Sequence, residues 1–263
     1  MSSERRAQAA RQKRLAAVRA RLQRVAETGD LSLAVEPKAL TEARRLGATF
    51  RHDEQDLEAC HVLGWLYWFR YQALPEGEDQ ADLSIAVGML APCFMAGADD
   101  LPEPLMPLLA EAAVPVAVDL RRQIATSTDP DLISTTVYLW QRILDVTPAD
   151  HPDRAVNMFN LGGVLRARFE RTGQLADMSA AIEAFRAAAE ATPMDNPRWV
   201  ASIFLGGVLH VSRFERTGDT SVLDTAIDMF RTAAEAAPGC VHGDGVRVRP
   251  DPGVCSGIGM VPA

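Results

Sequence analysis

Chemistry in this chain of 263 residues would have to come from a few pairings of cysteine with histidine. A histidine base beside a cysteine generates the thiolate nucleophile used in acyl transfer. Cys60 and His61 are sequence neighbours, but adjacent side chains on a helix diverge by roughly 100° and do not share a proton. Core packing is the expectation for both. His242 and Cys255 make a second combination, with no strand–helix pattern around them to bring the groups together. The five histidines, at 52, 61, 151, 210 and 242, show neither His-x-x-x-His nor Glu-x-x-His ligand spacing. Cys60, Cys93, Cys240 and Cys255 form no Cys-x-x-Cys pair, which argues against a zinc knuckle or disulfide framework and for buried free thiols. No GxxxxGK[ST] or GxGxxG loop is present. The acidic PEGEDQAD (75–82) lacks calcium-loop alternation and reads as a solvated turn. The expectation is therefore no catalytic residue, no cofactor, no metal, and no enzyme.

Binding is the other possibility. WLYWFRY (65–71) holds five of the chain's 16 aromatics. On a helix they point all round, which suits burial in mid-array; the alternative is an aromatic-lined peptide groove with Arg70 as the anionic anchor. Residues 1–30 carry eight Arg and Lys against three acids, and the remainder is strongly acidic within a net charge of −8. That body would repel phosphates, so no nucleic-acid partner is expected. In the basic first helix Leu15, Val18, Leu22 and Val25 form a narrow apolar seam. It docks on the next helix or, alternatively, binds a partner helix, an acidic protein or an anionic lipid surface.

The elements that must position these residues are announced by a repeated phrase. RFERTG occurs at Arg168–Gly173 and again at Arg213–Gly218, 45 residues later. Ala181, Ile182, Phe185, Ala188 and Pro193 recur as Ala226, Ile227, Phe230, Ala233 and Pro238, and a more divergent copy places Val137, Trp140, Ile143 and Pro148 upstream. Apolar residues fall at helical intervals, and each copy has an upstream helix, NMFNLGGVLRARFERTG or SIFLGGVLHVSRFERTG. Two helices and a turn at this period mean a solenoid. RFERTG is the last helical turn, with cations near the negative dipole end and Gly173 or Gly218 in the left-handed conformation that ends a helix. Ser221-Val-Leu-Asp224 resembles a capping box, and Asp129-Pro130 and Asn196-Pro197 an N-cap before proline. Gly162-Gly163 and Gly206-Gly207 allow close helix approach, with Phe185 or Phe230 wedged between neighbours.

Leu161-Gly162-x-x-Leu165 with Ala181, Phe185, Ala188 and Pro193 resembles the tetratricopeptide (TPR) pattern. So do Leu205, Gly206 and Leu209 with Ala226, Phe230, Ala233 and Pro238, and, more weakly, Leu63-Gly64-x-x-Tyr67 with Ala86. The period exceeds the family's 34 or so residues. The long variant, with HPDRA at a junction and RFERTG in the turn, is similar to repeats in actinobacterial proteins carrying a C-terminal CHAT peptidase domain. The resemblance spans roughly 55–238 and implies a protein-interaction scaffold. Clamp-type TPR domains use Lys and Asn on the first helices. The corresponding positions are Phe159, Gly163 and Arg166, then Ile203, Gly207 and His210, which are not clamp-like apart from Arg166 and His210. Phe159, Arg166, Ile203 and His210, with Arg70, are the candidate partner-binding face. A CHAT peptidase's His and Cys would have to be His242 and Cys255, where the caspase Gln-Ala-Cys-x-Gly signature is missing.

The expected architecture is all-α: a TPR-like solenoid of about five helical hairpins with a period near 45 residues. The hairpins run 5–27 with 37–50, 55–74 with 80–97, 104–127 with 131–147, 152–172 with 177–192, and 197–217 with 221–237. Residues 1–54 form a basic helix and a degenerate first hairpin, 55–238 the repeats, and 239–263 a Gly/Pro-rich tail expected to be disordered. That tail is alternatively the product of a truncation or frameshift. No apolar run reaches the roughly 18 residues of a membrane span, and the basic N-terminus is not a secretory signal, so a cytoplasmic location is expected. The function expected is non-enzymatic binding of an unidentified protein or peptide, with self-association through uncapped solenoid ends. The alternative is the inactive sensing portion of a truncated CHAT-like peptidase.

Overall fold

The computed structural model describes residues 3–50 and 56–236. Among them the regular structure is entirely helical. The helices are α1 (Ser3–Thr28), α2 (Ser32–Val35), α3 (Pro37–Gly47), α4 (Leu57–Ala73), α5 (Gln80–Met95), α6 (Met106–Ile124), α7 (Pro130–Val146), α8 (Arg154–Thr172), α9 (Leu175–Glu190), α10 (Pro197–Thr217) and α11 (Ser221–Ala236), with a 3-10 turn at Glu103–Leu105. Ten of these lie where the apolar spacing places them; the four-residue α2 is additional. The fold is all-α. Packing divides the chain into two compact units, up to Pro115 and from Val116 onward.

In the first unit, Leu15 and Val18 of α1 share one core with Ala34 of α2, Ala39, Ala43 and Leu46 of α3, and Ala59, Val62, Leu63 and Leu66 of α4. That core joins residues from both sides of position 54/55. Several of the basic side chains of α1 are used internally. Arg11 grips Asp56 through two bonds of 2.6 Å and reaches Glu58 at 2.8 Å. Arg19 also meets Glu58, at 2.8 Å. Arg21, 1% exposed, is held between Glu36 (2.6 Å) and Glu42 (2.9 Å). Of the two roles open to this helix, docking within the fold is the one observed. Asp56 also caps α4, its carboxylate accepting from the Ala59 N–H at 3.0 Å. Gly64 lets α4 press on α5: a Cβ there would lie 2.3 Å from Leu90 Cγ.

In the second unit α7 packs on α8, α8 on α9, α9 on α10 and α10 on α11. Asp129 and Asn196 cap α7 and α10, each accepting at 2.9 Å from the N–H two residues on, with proline at the first helical position. At α11 the acceptor is Asp219, which takes the Ser221 N–H at 3.0 Å and its hydroxyl at 2.6 Å. Ser221 is the first helical residue rather than the cap.

RFERTG can now be read residue by residue. Arg168 makes a two-point ion pair with the buried Asp177. Phe169 is buried, and the Arg216 guanidinium of the next copy lies 4.7 Å above its ring. Glu170 is exposed. Arg171 reaches back to the Ile124 carbonyl at the end of α6, and Arg216 likewise to the Gly173 carbonyl at 3.5 Å. Thr172 donates to the Arg168 carbonyl at 2.9 Å and accepts from the Gln174 N–H at 3.3 Å. Gly173 closes the helix at φ 70°. Thr217-Gly218 and Thr28-Gly29 repeat the same two threonine bonds and the same φ. The phrase ends one helix and latches it to the preceding helix pair.

The spacing of 45 is kept through the packing. Phe159 meets Phe185, and Phe204 meets Phe230, both with ring centroids 5.5 Å apart. A Cβ on Gly162 would stand 3.0 Å from the Phe185 ring, and one on Gly207 2.9 Å from the Phe230 ring. Gly162 thus corresponds to Gly207, whereas matching the two LGGVL strings pairs it with Gly206. Gly206 faces the tip of Met229 instead.

Candidate functional site

Neither described cysteine is set up as a nucleophile. Both are buried and free. Burial pushes the Cys60 thiol above its ordinary pKa and the Cys93 thiol up to about 11, the opposite of what an activated thiolate needs. Cys93 Sγ donates to the Leu57 carbonyl at 3.4 Å. His61 turns away from Cys60; its Nε2 lies 3.0 Å from the Asp100 carbonyl, which also accepts from Trp65 Nε1 at 3.1 Å. His242 and Cys255 lie outside the described residues. Among the described residues no group of His, Cys, Asp and Glu could hold a metal ion. No helix among them is long and apolar enough to cross a membrane.

Arg70 is not an anchor for an anion. It is 7% exposed, pairs with Asp82 at 2.9 Å and donates to the Ala34 carbonyl at 3.1 Å. Burying an arginine requires such partners, and they consume the charge. The aromatics around it pack on one another, Trp65 with Phe69 and Trp68 with Tyr71, each at 5.4 Å between centroids. WLYWFRY is therefore an internal seam. Phe159, half-buried, spends one edge on Phe185, and Ile203 is half-buried.

What remains is a cluster of nitrogen donors on the first helices of the second unit. Arg166 is half-buried on α8; its Nε has no hydrogen-bond acceptor, and Glu170 stands 3.6 Å away as the nearest opposite charge. Arg121 on α6 lies one 45-residue interval earlier, a correspondence the sequence holds but local motifs do not display. Its Nη1 sits 3.9 Å from where a Gly163 side chain would begin, one helical turn from Arg166. Arg121 Nε is buried without an acceptor, and among the described residues Arg121 has no ion pair. Burial, aided by the neighbouring Arg122, lowers its pKa, the mark of a charge short of compensation. His210 on α10 has its Nδ1 buried and unpartnered, and burial followed by Arg213 lowers its pKa. In the common register Arg166 corresponds to Val211, so His210 stands one residue off that position.

Arg121 and Arg166, whose buried Nε atoms lack acceptors, are suited to take oxygen atoms from an anion. Such a pair can bind a carboxylate. No protein-family model matches the chain, and no curated protein matches it.

Proposed function

We propose that the chain is a non-enzymatic interaction module, a TPR-like helical solenoid that holds an acidic segment of a partner protein across the first helices of its second unit. The observation that carries this is Arg121, a half-buried guanidinium without a counter-ion among the described residues, one repeat from Arg166 and set against Gly163, one helical turn before Arg166. An unpaired charge in a partly desolvated place is costly alone and strongly favourable once a carboxylate arrives. The solenoid reading is supported by the interval of 45 that relates the Gly162–Phe185 and Gly207–Phe230 contacts and the Phe159–Phe185 and Phe204–Phe230 ring pairs.

The test is peptide display on the full-length chain, followed by titration of enriched peptides against Arg121→Glu and Arg166→Glu. Acidic sequences are expected, with affinity falling about tenfold per reversed charge and weakening further as salt rises. Peptides that bind regardless of both reversals overturn the reading. A broad hydrolase screen is expected to stay silent; turnover abolished by Cys60→Ala or His242→Ala overturns the non-enzymatic part.

A further inference from the structure

The last described helix pair leaves open the residues that the pair before it covers. At the 45-residue interval Met178, Ile182, Phe185 and Ala189 of α9 become Leu223, Ile227, Phe230 and Ala234 of α11. Ile182 is 9% exposed, whereas Ile227 is 52% exposed; Phe185 is fully buried, whereas Phe230 is half-buried. On α10, Phe204 is 40% exposed, and among the described residues Phe214 has no counterpart of the Arg216 guanidinium that covers Phe169. The cover on α9 is α10; among the described helices only α10 packs substantially on α11. A contiguous apolar patch of this kind marks a contact surface.

We propose that a second copy of the chain closes this face with its own, across a two-fold axis that sets the two α11 helices antiparallel. The occupant is indicated by the stripe itself. Leu223, Ile227, Phe230 and Ala234 follow the 4-3-4 spacing by which helices pair with one another. Antiparallel pairing sets Ile227 opposite Phe230 and Leu223 opposite Ala234. It also brings Asp224 beside the partner's Arg231, so the flanking charges are complementary to themselves. Arg231 here bonds Asp228 within its own helix at 3.0 Å, both side chains exposed and free to rearrange. A head-to-tail contact with α1 would meet a basic surface, since among the described residues α1 presents Arg5, Arg6, Lys13 and Arg24 to solvent. An isologous contact closes as a dimer. This inference is independent of the acidic-segment reading.

Sedimentation equilibrium of the full-length chain, in reductant so that Cys240 and Cys255 cannot cross-link, is expected to give twice the 28.5 kDa chain mass. Ile227→Asp and Ala234→Arg are exposed substitutions that should leave the helical circular dichroism unchanged. Each should weaken dimerisation about 100-fold by placing charge in an apolar contact. Asp224→Arg and Arg231→Asp should each weaken it roughly tenfold, and the double exchange should restore it. A wild type that stays monomeric overturns the proposal and assigns the face to another occupant, such as residues 237–263. A dimer indifferent to Ile227→Asp and Ala234→Arg, or charge reversals that fail to compensate, overturns it equally.

Discussion

Cys93 shows at the level of one side chain why a residue type capable of chemistry need not perform it. Its surroundings favour the neutral thiol, so Cys60 and Cys93 should remain unmodified by iodoacetamide at neutral pH in the folded chain, while unfolded chains are labelled at both. Peptide mass spectrometry reads the difference. Asp56 does two jobs at once, capping α4 and pairing with Arg11. Asp56→Ala should therefore destabilise the first unit by about 2 kcal/mol, whereas Asp56→Asn, which keeps an acceptor for the cap, should cost about 1 kcal/mol in urea unfolding. The helix-ending role of Gly173 and Gly218 was legible from the sequence, because it is local. The reach of Arg171 and Arg216 to carbonyls more than forty residues upstream was not, nor was the capture of Arg70 by Asp82. A side chain's neighbours in sequence do not reveal its partners across a helix interface.

Helices were the most readable level, since most long ones carry apolar residues at helical intervals and a recognisable stop. α2 escaped because four residues hold no period, and the α11 cap was misassigned because Asp219 and Ser221 are both good capping residues two positions apart. The register of α8 against α10 was also masked by the identical LGGVL strings; the packed rings decide it, because an aromatic at the helix crossing needs a residue without a side chain opposite. Glycines at such crossings respond to substitution according to what they meet. Gly64→Ala drives a methyl into the body of the fully buried Leu90 and should cost about 2 kcal/mol. Gly206→Ala meets only the flexible end of Met229 and gains helix propensity, so it should stabilise by about 0.5 kcal/mol. Thermal unfolding of the two variants should shift in opposite directions.

Across the molecule as a whole, charge is distributed so that the units answer differently to acid. In the first unit Arg11 holds the Asp56 and Glu58 carboxyls below their ordinary range, and Arg21 does the same to Glu36. Carboxyls with depressed folded pKa values stabilise fully above about pH 5, and the contribution disappears as pH falls through the lowered values. Amide exchange between pH 5 and 2 should therefore lose protection in α1–α4 before α8 and α9. The division into these units falls at Pro115 and Val116 inside α6, where a proline without an N–H interrupts the helix's hydrogen-bond ladder. The Thr-Gly turn and the glycine–phenylalanine contact both return after the same count of residues. An in-frame duplication of residues 174–218 therefore places a second Phe185 where Phe230 meets Gly207, and a second Thr-Gly stop one repeat on. Lengthening of this chain needs no new solution, only another copy of an old one.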